Sequence, residues 1–109
     1  AVGPKTPVLV TLKVKPGKKQ AVIDLLNTPD GLQATREYDG NISLEAFYND
    51  TTNTYYVYGN WASYDHYQKY LDWRFNDDES KMAQQVTSLL VGGEKGLTPL
   101  FPNTDYASF

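Results

Sequence analysis

The run Tyr55-Tyr-Val-Tyr-Gly-Asn-Trp-Ala-Ser-Tyr-Asp-His-Tyr-Gln-Lys-Tyr-Leu-Asp-Trp-Arg74 changes its period in the middle. Up to Trp61 the side chains alternate: Tyr55, Val57, Gly59 and Trp61 fall on one face, and Tyr56, Tyr58 and Asn60 on the other. That period of two is what a strand requires. Ser63 is a good N-cap, and beyond it Tyr64, Tyr67, Tyr70 or Leu71, and Arg74 lie three to four apart on one helical stripe. A strand therefore hands over to a helix within two residues, and rings lie along both.

Upstream, Ile42 to Tyr48 alternates in the same way and is joined to the Tyr55 strand by Asn49-Asp50-Thr51-Thr52-Asn53, a length that a hairpin tolerates. Asp39-Gly40 marks a turn before it. Val8, Val10, Leu12 and Val14 alternate with Leu9, Thr11, Lys13 and Lys15, which predicts a first strand ended by Pro16-Gly17. From Lys18 the spacing of Ala21, Val22, Leu25 and Leu26 predicts a helix, interrupted near Pro29-Asp30-Gly31 and followed by one more turn around Leu32, Thr35 and Arg36. Downstream, Asn76-Asp77-Asp78 breaks the Tyr64 helix. A third helix is expected over about Glu79 to Leu90, burying Met82, Ala83, Val86, Leu89 and Leu90 and ended by Gly92-Gly93. Leu97 to Phe101 reads as a short last strand, and Pro99 confines it to an edge. The order β-α-β-β-α(α)-β builds an α+β, ferredoxin-like split β-α-β domain: a four-stranded antiparallel sheet with helices on one face. Both faces of the Tyr55 strand carry rings, so the second face is expected to meet a second subunit.

With 109 residues the chain is expected to be a single domain, with a core over about 8–101 and flexible ends at 1–7 and 102–109. It has no cysteine, which removes disulfide scaffolds, thiolate metal sites and thiol nucleophiles together. The net charge of −3, with signs interspersed, argues against nucleic acid and anionic membrane surfaces as partners. No apolar run is long enough to span a bilayer. The excess lies in rings: nine tyrosines, two tryptophans and four phenylalanines, with seven of the tyrosines and both tryptophans between positions 48 and 73. Asn41-Ile-Ser and Asn49-Asp-Thr are glycosylation triplets, and Ala1 at the start fits a removed methionine or a removed signal peptide. A soluble, cytoplasmic protein is the expectation, with secretion as the alternative.

Three stretches carry a resemblance to a known family: Val10-Thr-Leu-Lys-Val-Lys-Pro-Gly17, Gly40-Asn-Ile-Ser-Leu-Glu-Ala-Phe-Tyr48, and Tyr56 through Trp61-Ala-Ser to Tyr70-Leu-Asp-Trp-Arg74. Together they resemble the antibiotic biosynthesis monooxygenase (ABM) family of dimeric α+β barrels, from about Val8 to Phe101. The resemblance implies a homodimer or higher homo-oligomer, with a pocket in each subunit between sheet and helices. Its characterised members include cofactor-independent monooxygenases of phenols and quinols, quinone-handling enzymes, sugar-phosphate isomerases and haem-degrading enzymes, so activity does not follow from the fold.

Trp61 matches the family's tryptophan at the strand end, as a pocket wall or as plain packing. Tyr70 stands where many monooxygenase relatives carry histidine and the haem-degrading branch carries tryptophan; a phenol donates a hydrogen bond well but is a poor base. His66, the only histidine, is the other catalytic candidate, with simple solvent exposure as the alternative. Tyr64, Tyr67, Tyr48, Trp73 and Arg74 complete the substrate-binding candidates. Arg74 offers a counter-charge to a carboxylate or phenolate, or else an ion pair with Asp77, Asp78 or the helix end. Asn60, opposite Trp61, belongs to the expected dimer face. No metal site and no cofactor are expected: the haem branch's strand asparagine is replaced by Val10 and Leu12, its tryptophan by Tyr70, and no histidine lies near Ser80. A cofactor-independent oxygenation of a small phenol or quinol is the leading expectation, with His66 or water as base and Tyr70 as donor. The alternative is a non-enzymatic binding or self-assembling protein, in which Phe101, Tyr106 and Phe109 of the tail pack on a partner.

Overall fold

A computed structural model describes residues 5–102. Strand β1 (Thr6–Lys13) leads to helix α1 (Lys19–Leu26), a wide turn over Pro29–Gln33 and the single-turn helix α2 (Ala34–Glu37). The hairpin of β2 (Asn41–Asn49) and β3 (Thr54–Trp61) follows. After it come α3 (Tyr64–Asp72), a wide turn over Trp73–Asp77, α4 (Met82–Thr87), and β4 (Leu97–Leu100). The sheet order is β2-β3-β1-β4 with every pairing antiparallel, so the Pro99 strand lies at an edge, as its proline demands.

The register sorts the sheet into rows. Tyr48, Tyr55, Leu12 and Leu97 stand side by side across the four strands, as do Ala46, Val57, Val10 and Pro99. These rows face the helices and meet Val22, Leu26, Met82, Val86 and Leu90 in the larger core cluster. A second cluster holds Val8, Trp61 and Tyr67, with Val10 packed against both. The opposite face carries the rows Glu45-Tyr58-Leu9-Leu100 and Phe47-Tyr56-Thr11-Thr98, on which Phe47 stacks on Tyr56 at 5.1 Å between ring centroids. Nothing in the chain covers this face among the described residues: Phe47 is 54% and Leu100 66% exposed.

Several element boundaries differ from the sequence reading: β1 already includes Thr6 and Pro7, and the third helix ends at Thr87 rather than Leu90. The third helix begins at Met82 rather than near Glu79, because Asp78 Oδ1 accepts hydrogen bonds from the Ser80 amide and hydroxyl and Lys81 takes a left-handed φ of 57°. Val14 leaves the strand for an isolated bridge to Leu90. Tyr106 and Phe109 lie outside the described residues. Of the two glycosylation triplets, Asn49 is exposed in the hairpin turn, its Oδ1 accepting from the Thr51 and Thr52 amides, whereas both amide atoms of the Asn41 side chain are buried.

Candidate functional site

The handover from β3 to α3 builds the site. Trp61, the last residue of β3, is turned to the helix side and is 2% exposed. Ser63 then caps α3, its Oγ accepting from the His66 amide at 3.2 Å. This start directs Tyr67, Tyr70, Leu71 and Arg74 onto the sheet. Between them and the floor of Val8, Val10, Val57 and Gly59 lies a cavity of about 100 Å³, closed further along by residues of α1, α4 and β4. Gly59 helps to make it: a Cβ there would stand 3.2 Å from Leu44 Cδ1 and 3.4 Å from the Trp61 indole nitrogen. The volume is of the order that holds one aromatic ring in an apolar protein cavity.

The wall is aromatic on one side. The Trp61 ring lies 4.9 Å from that of Tyr70 and 5.6 Å from that of Tyr67, and Tyr38 packs edge-on against Tyr70 at 5.4 Å. The two tyrosine hydroxyls differ. That of Tyr70 is engaged twice, 2.7 Å from Thr35 Oγ1 and accepting from Arg74 Nε at 3.0 Å. That of Tyr67 is buried and has no hydrogen-bond partner among the described residues. Burial, with smaller contributions from Tyr70 and Tyr64, pushes the Tyr67 phenol well above its ordinary value of 10, so it stays a neutral donor at physiological pH.

Arg74 closes the cavity's polar corner. It is 6% exposed and ties the Trp73–Asp77 turn to the Pro29–Gln33 turn and to Asp78, whose Oδ2 accepts from Nη1 at 2.9 Å. Burial works against the Asp78 carboxylate, but hydrogen bonds from Ser80 and Arg74 and the guanidinium charge hold its pKa below the ordinary 3.8.

The structure thus brings together four of the eight residues singled out from sequence, Trp61, Tyr67, Tyr70 and Arg74, and leaves four outside the cavity lining. Tyr64 is 45% exposed and packs on Phe101 at 5.2 Å. Trp73 packs on Tyr38 at 5.2 Å, behind the Tyr70 ring. Tyr48 sits at the hairpin end, its hydroxyl on Asn53 Oδ1 and its ring 4.7 Å beneath the Lys19 ammonium. His66 faces the surface: Nδ1 is 2.7 Å from Ser63 Oγ, Nε2 is 3.9 Å from an Asp39 carboxylate oxygen, and its ring packs so closely on Gly40 (φ +92°) that it leaves no room for a Cβ there. Thr35, Leu32 and Tyr38, which periodicity did not mark as site residues, supply the wall opposite or behind Tyr70. Among the described residues no three His, Asp or Glu side chains gather to hold a metal ion, and no helix is long and apolar enough to cross a membrane.

The family model described as antibiotic biosynthesis monooxygenase matches residues 7–74, more than half of the chain, from the second residue of β1 to Arg74. The chain belongs to the ABM family. Solved structures agree on the fold. Rv0793 from Mycobacterium tuberculosis superposes with a TM-score of 0.71 at 18% identity, over 96% of this chain and 100% of that one. A monooxygenase from the gene ActVA-Orf6 of Streptomyces coelicolor, in complex with the ligand nanaomycin D, gives 0.68 at 19% identity, over 95% and 90%. A dimeric ferredoxin-like protein of unknown function from Jannaschia sp. CCS1 gives 0.70 at 10% identity, over 93% and 100%. No curated protein matches. At these identities the superpositions establish the ferredoxin-like ABM fold, and the chemistry of this ABM chain has to be argued from its own cavity.

Proposed function

We propose that this ABM protein binds a small phenolic or quinol ligand in the cavity between β3 and α3 and acts on it as a cofactor-independent monooxygenase. The observation that carries the reading is the cavity itself, walled by the rings of Trp61, Tyr67 and Tyr70, with the Tyr67 hydroxyl buried beside it and without a partner among the described residues. Such a group costs stability unless something accepts from it, and a phenol or quinone oxygen would do so while its ring replaced contacts among Trp61, Tyr70 and Leu71.

In the proposed reaction the substrate supplies the electrons. Loss of its hydroxyl proton gives a phenolate held by Tyr67, and one electron passes from the ring to dioxygen. The radical pair joins at a ring carbon, and the resulting hydroperoxide loses water as its O–O bond breaks, so that phenol and dioxygen yield quinone and water. The protein contributes orientation, water exclusion and one fixed donor. His66 stands outside the cavity lining, which leaves water as the base in this scheme. Tyr70, engaged with Thr35 and Arg74, holds the ring from the side.

One observation favours a second reading, ligand binding without turnover: the cavity's polar residues other than Tyr67 are occupied by one another, and none is a base suited to neutral pH. We further propose a homodimer joined through the outer sheet face, where the rows led by Phe47 and Tyr58 would be buried. Oxygen uptake with a panel of hydroquinones separates the first two readings. Consumption above the buffer rate supports oxygenation, and its absence across the panel eliminates it.

A further inference from the structure

We propose that Asp78 fixes the charge class of the ligand: by cancelling Arg74 in the cavity wall, it makes this a site for an uncharged ring and closes it to carboxylates. The inference rests on the aromatic-ligand reading of the cavity. Among the described residues that line the cavity Arg74 is the only charged side chain, and an arginine beside stacked rings invites assignment as a carboxylate receptor. Its geometry withdraws it from that role. A guanidinium has five N–H groups, and here each has an acceptor. Nε donates to the Tyr70 hydroxyl at 3.0 Å; Nη1 donates to Asp30 O and Asp78 Oδ2, both at 2.9 Å; Nη2 donates to Gly31 O at 2.9 Å and Thr35 Oγ1 at 2.8 Å. No fork is left to grip a second carboxylate.

The charge is equally spent. Asp78 is as buried as Arg74, at 6% exposure, and is held in place from the far side by the Ser80 amide and hydroxyl at 3.0 and 2.7 Å. Arginine and aspartate together present no net charge to the cavity. A ligand carboxylate there would be a buried ion without a counter-charge, which proteins avoid at large cost. Among the described residues, the polar side-chain atom left without a partner beside the cavity is the Tyr67 hydroxyl, a neutral group that suits the neutral oxygen of a phenol, quinol or quinone.

The test is calorimetric titration of the full chain near neutral pH with para-cresol and with para-hydroxybenzoate, which share ring and hydroxyl and differ in charge. Para-cresol should bind at least about 100-fold more tightly, the scale set by an unpaired buried ion. Asp78→Asn uncovers the Arg74 charge and should move that ratio at least about 10-fold toward para-hydroxybenzoate. Equal or tighter binding of para-hydroxybenzoate to the natural chain overturns the inference while leaving the aromatic-ligand reading intact. An unchanged ratio in folded Asp78→Asn removes Asp78 from the explanation. If neither compound binds, both the inference and the reading beneath it fall. Should Asp78→Asn not fold, as its circular dichroism would reveal, the two titrations of the natural chain still decide the ligand class.

Discussion

Replacing Tyr67 by phenylalanine should stabilise the ligand-free protein, the opposite of what removing a buried polar group usually does. The hydroxyl lies in a residue that is 2% exposed and has no hydrogen-bond partner among the described residues. In water it is fully solvated, so folding forfeits its hydration without return, a cost of about 1–3 kcal/mol by the mutational record. Deleting one oxygen gives up a few dispersion contacts of about 0.1–0.2 kcal/mol each. The ring contacts with Trp61 at 5.6 Å and Phe101 at 6.2 Å remain. The net expectation is a gain of at least about 1 kcal/mol, which for a chain of this size raises the melting temperature by about 4 °C or more. Urea unfolding followed by tryptophan fluorescence reads it, with the midpoint rising and the slope unchanged. A second signature follows from the raised Tyr67 pKa: protonated in the fold, the phenol ionises more readily once unfolded, so its share of stability is present below pH 10 and lost as pH rises above it. The phenylalanine variant should lose less stability on that alkaline limb. A variant less stable than the natural chain would mean that the hydroxyl already has a partner, and its support for the ligand site would be lost.

Two further outcomes follow. Because Asp78 is held below the ordinary 3.8, its contribution to stability is complete above that value and is lost as pH falls through the lower folded-state value. Urea midpoints should therefore drop steeply below about pH 4, and a flat profile there would show the Arg74–Asp78 pair to be inert. Tyr58→Glu, which places a charge beside Leu9 and opposite Glu45 on the outer sheet face, should halve the mass measured by light scattering; an unchanged mass would refute the proposed dimer face.

The alternation of Val8 to Val14, Ile42 to Tyr48 and Tyr55 to Trp61 was enough to predict the sheet, because a half-buried strand leaves the same trace wherever it is placed. The Tyr67, Tyr70 and Arg74 stripe was legible for the corresponding reason in a helix. His66 showed two possibilities, a catalytic role or plain solvent exposure, and the fold places it at the surface, between Ser63 and Asp39 and against Gly40, where its ring takes the space a Cβ would need. Thr35 was visible only as part of one helical turn, since its meaning lies in a contact with Tyr70 across thirty-five residues. Arg74 showed both of its possibilities in sequence, a ligand's counter-charge or a partner for Asp77 or Asp78. Only the fold, by bringing Asp30, Gly31 and Thr35 around the same guanidinium, decided for Asp78 and for a fully engaged arginine.

If a small phenol or quinol occupies the cavity beneath α3, the side chains that line it must sense the ligand. Methyl resonances of the full chain, followed by NMR during titration with hydroquinone under argon, test it directly. Val8, Leu71 and Met82, which line the cavity, should show saturable shifts, with Ile42 and Val91 on the surface unmoved. Shifts confined to the outer sheet at Leu9 and Leu100, or no saturable shifts at all, would contradict it.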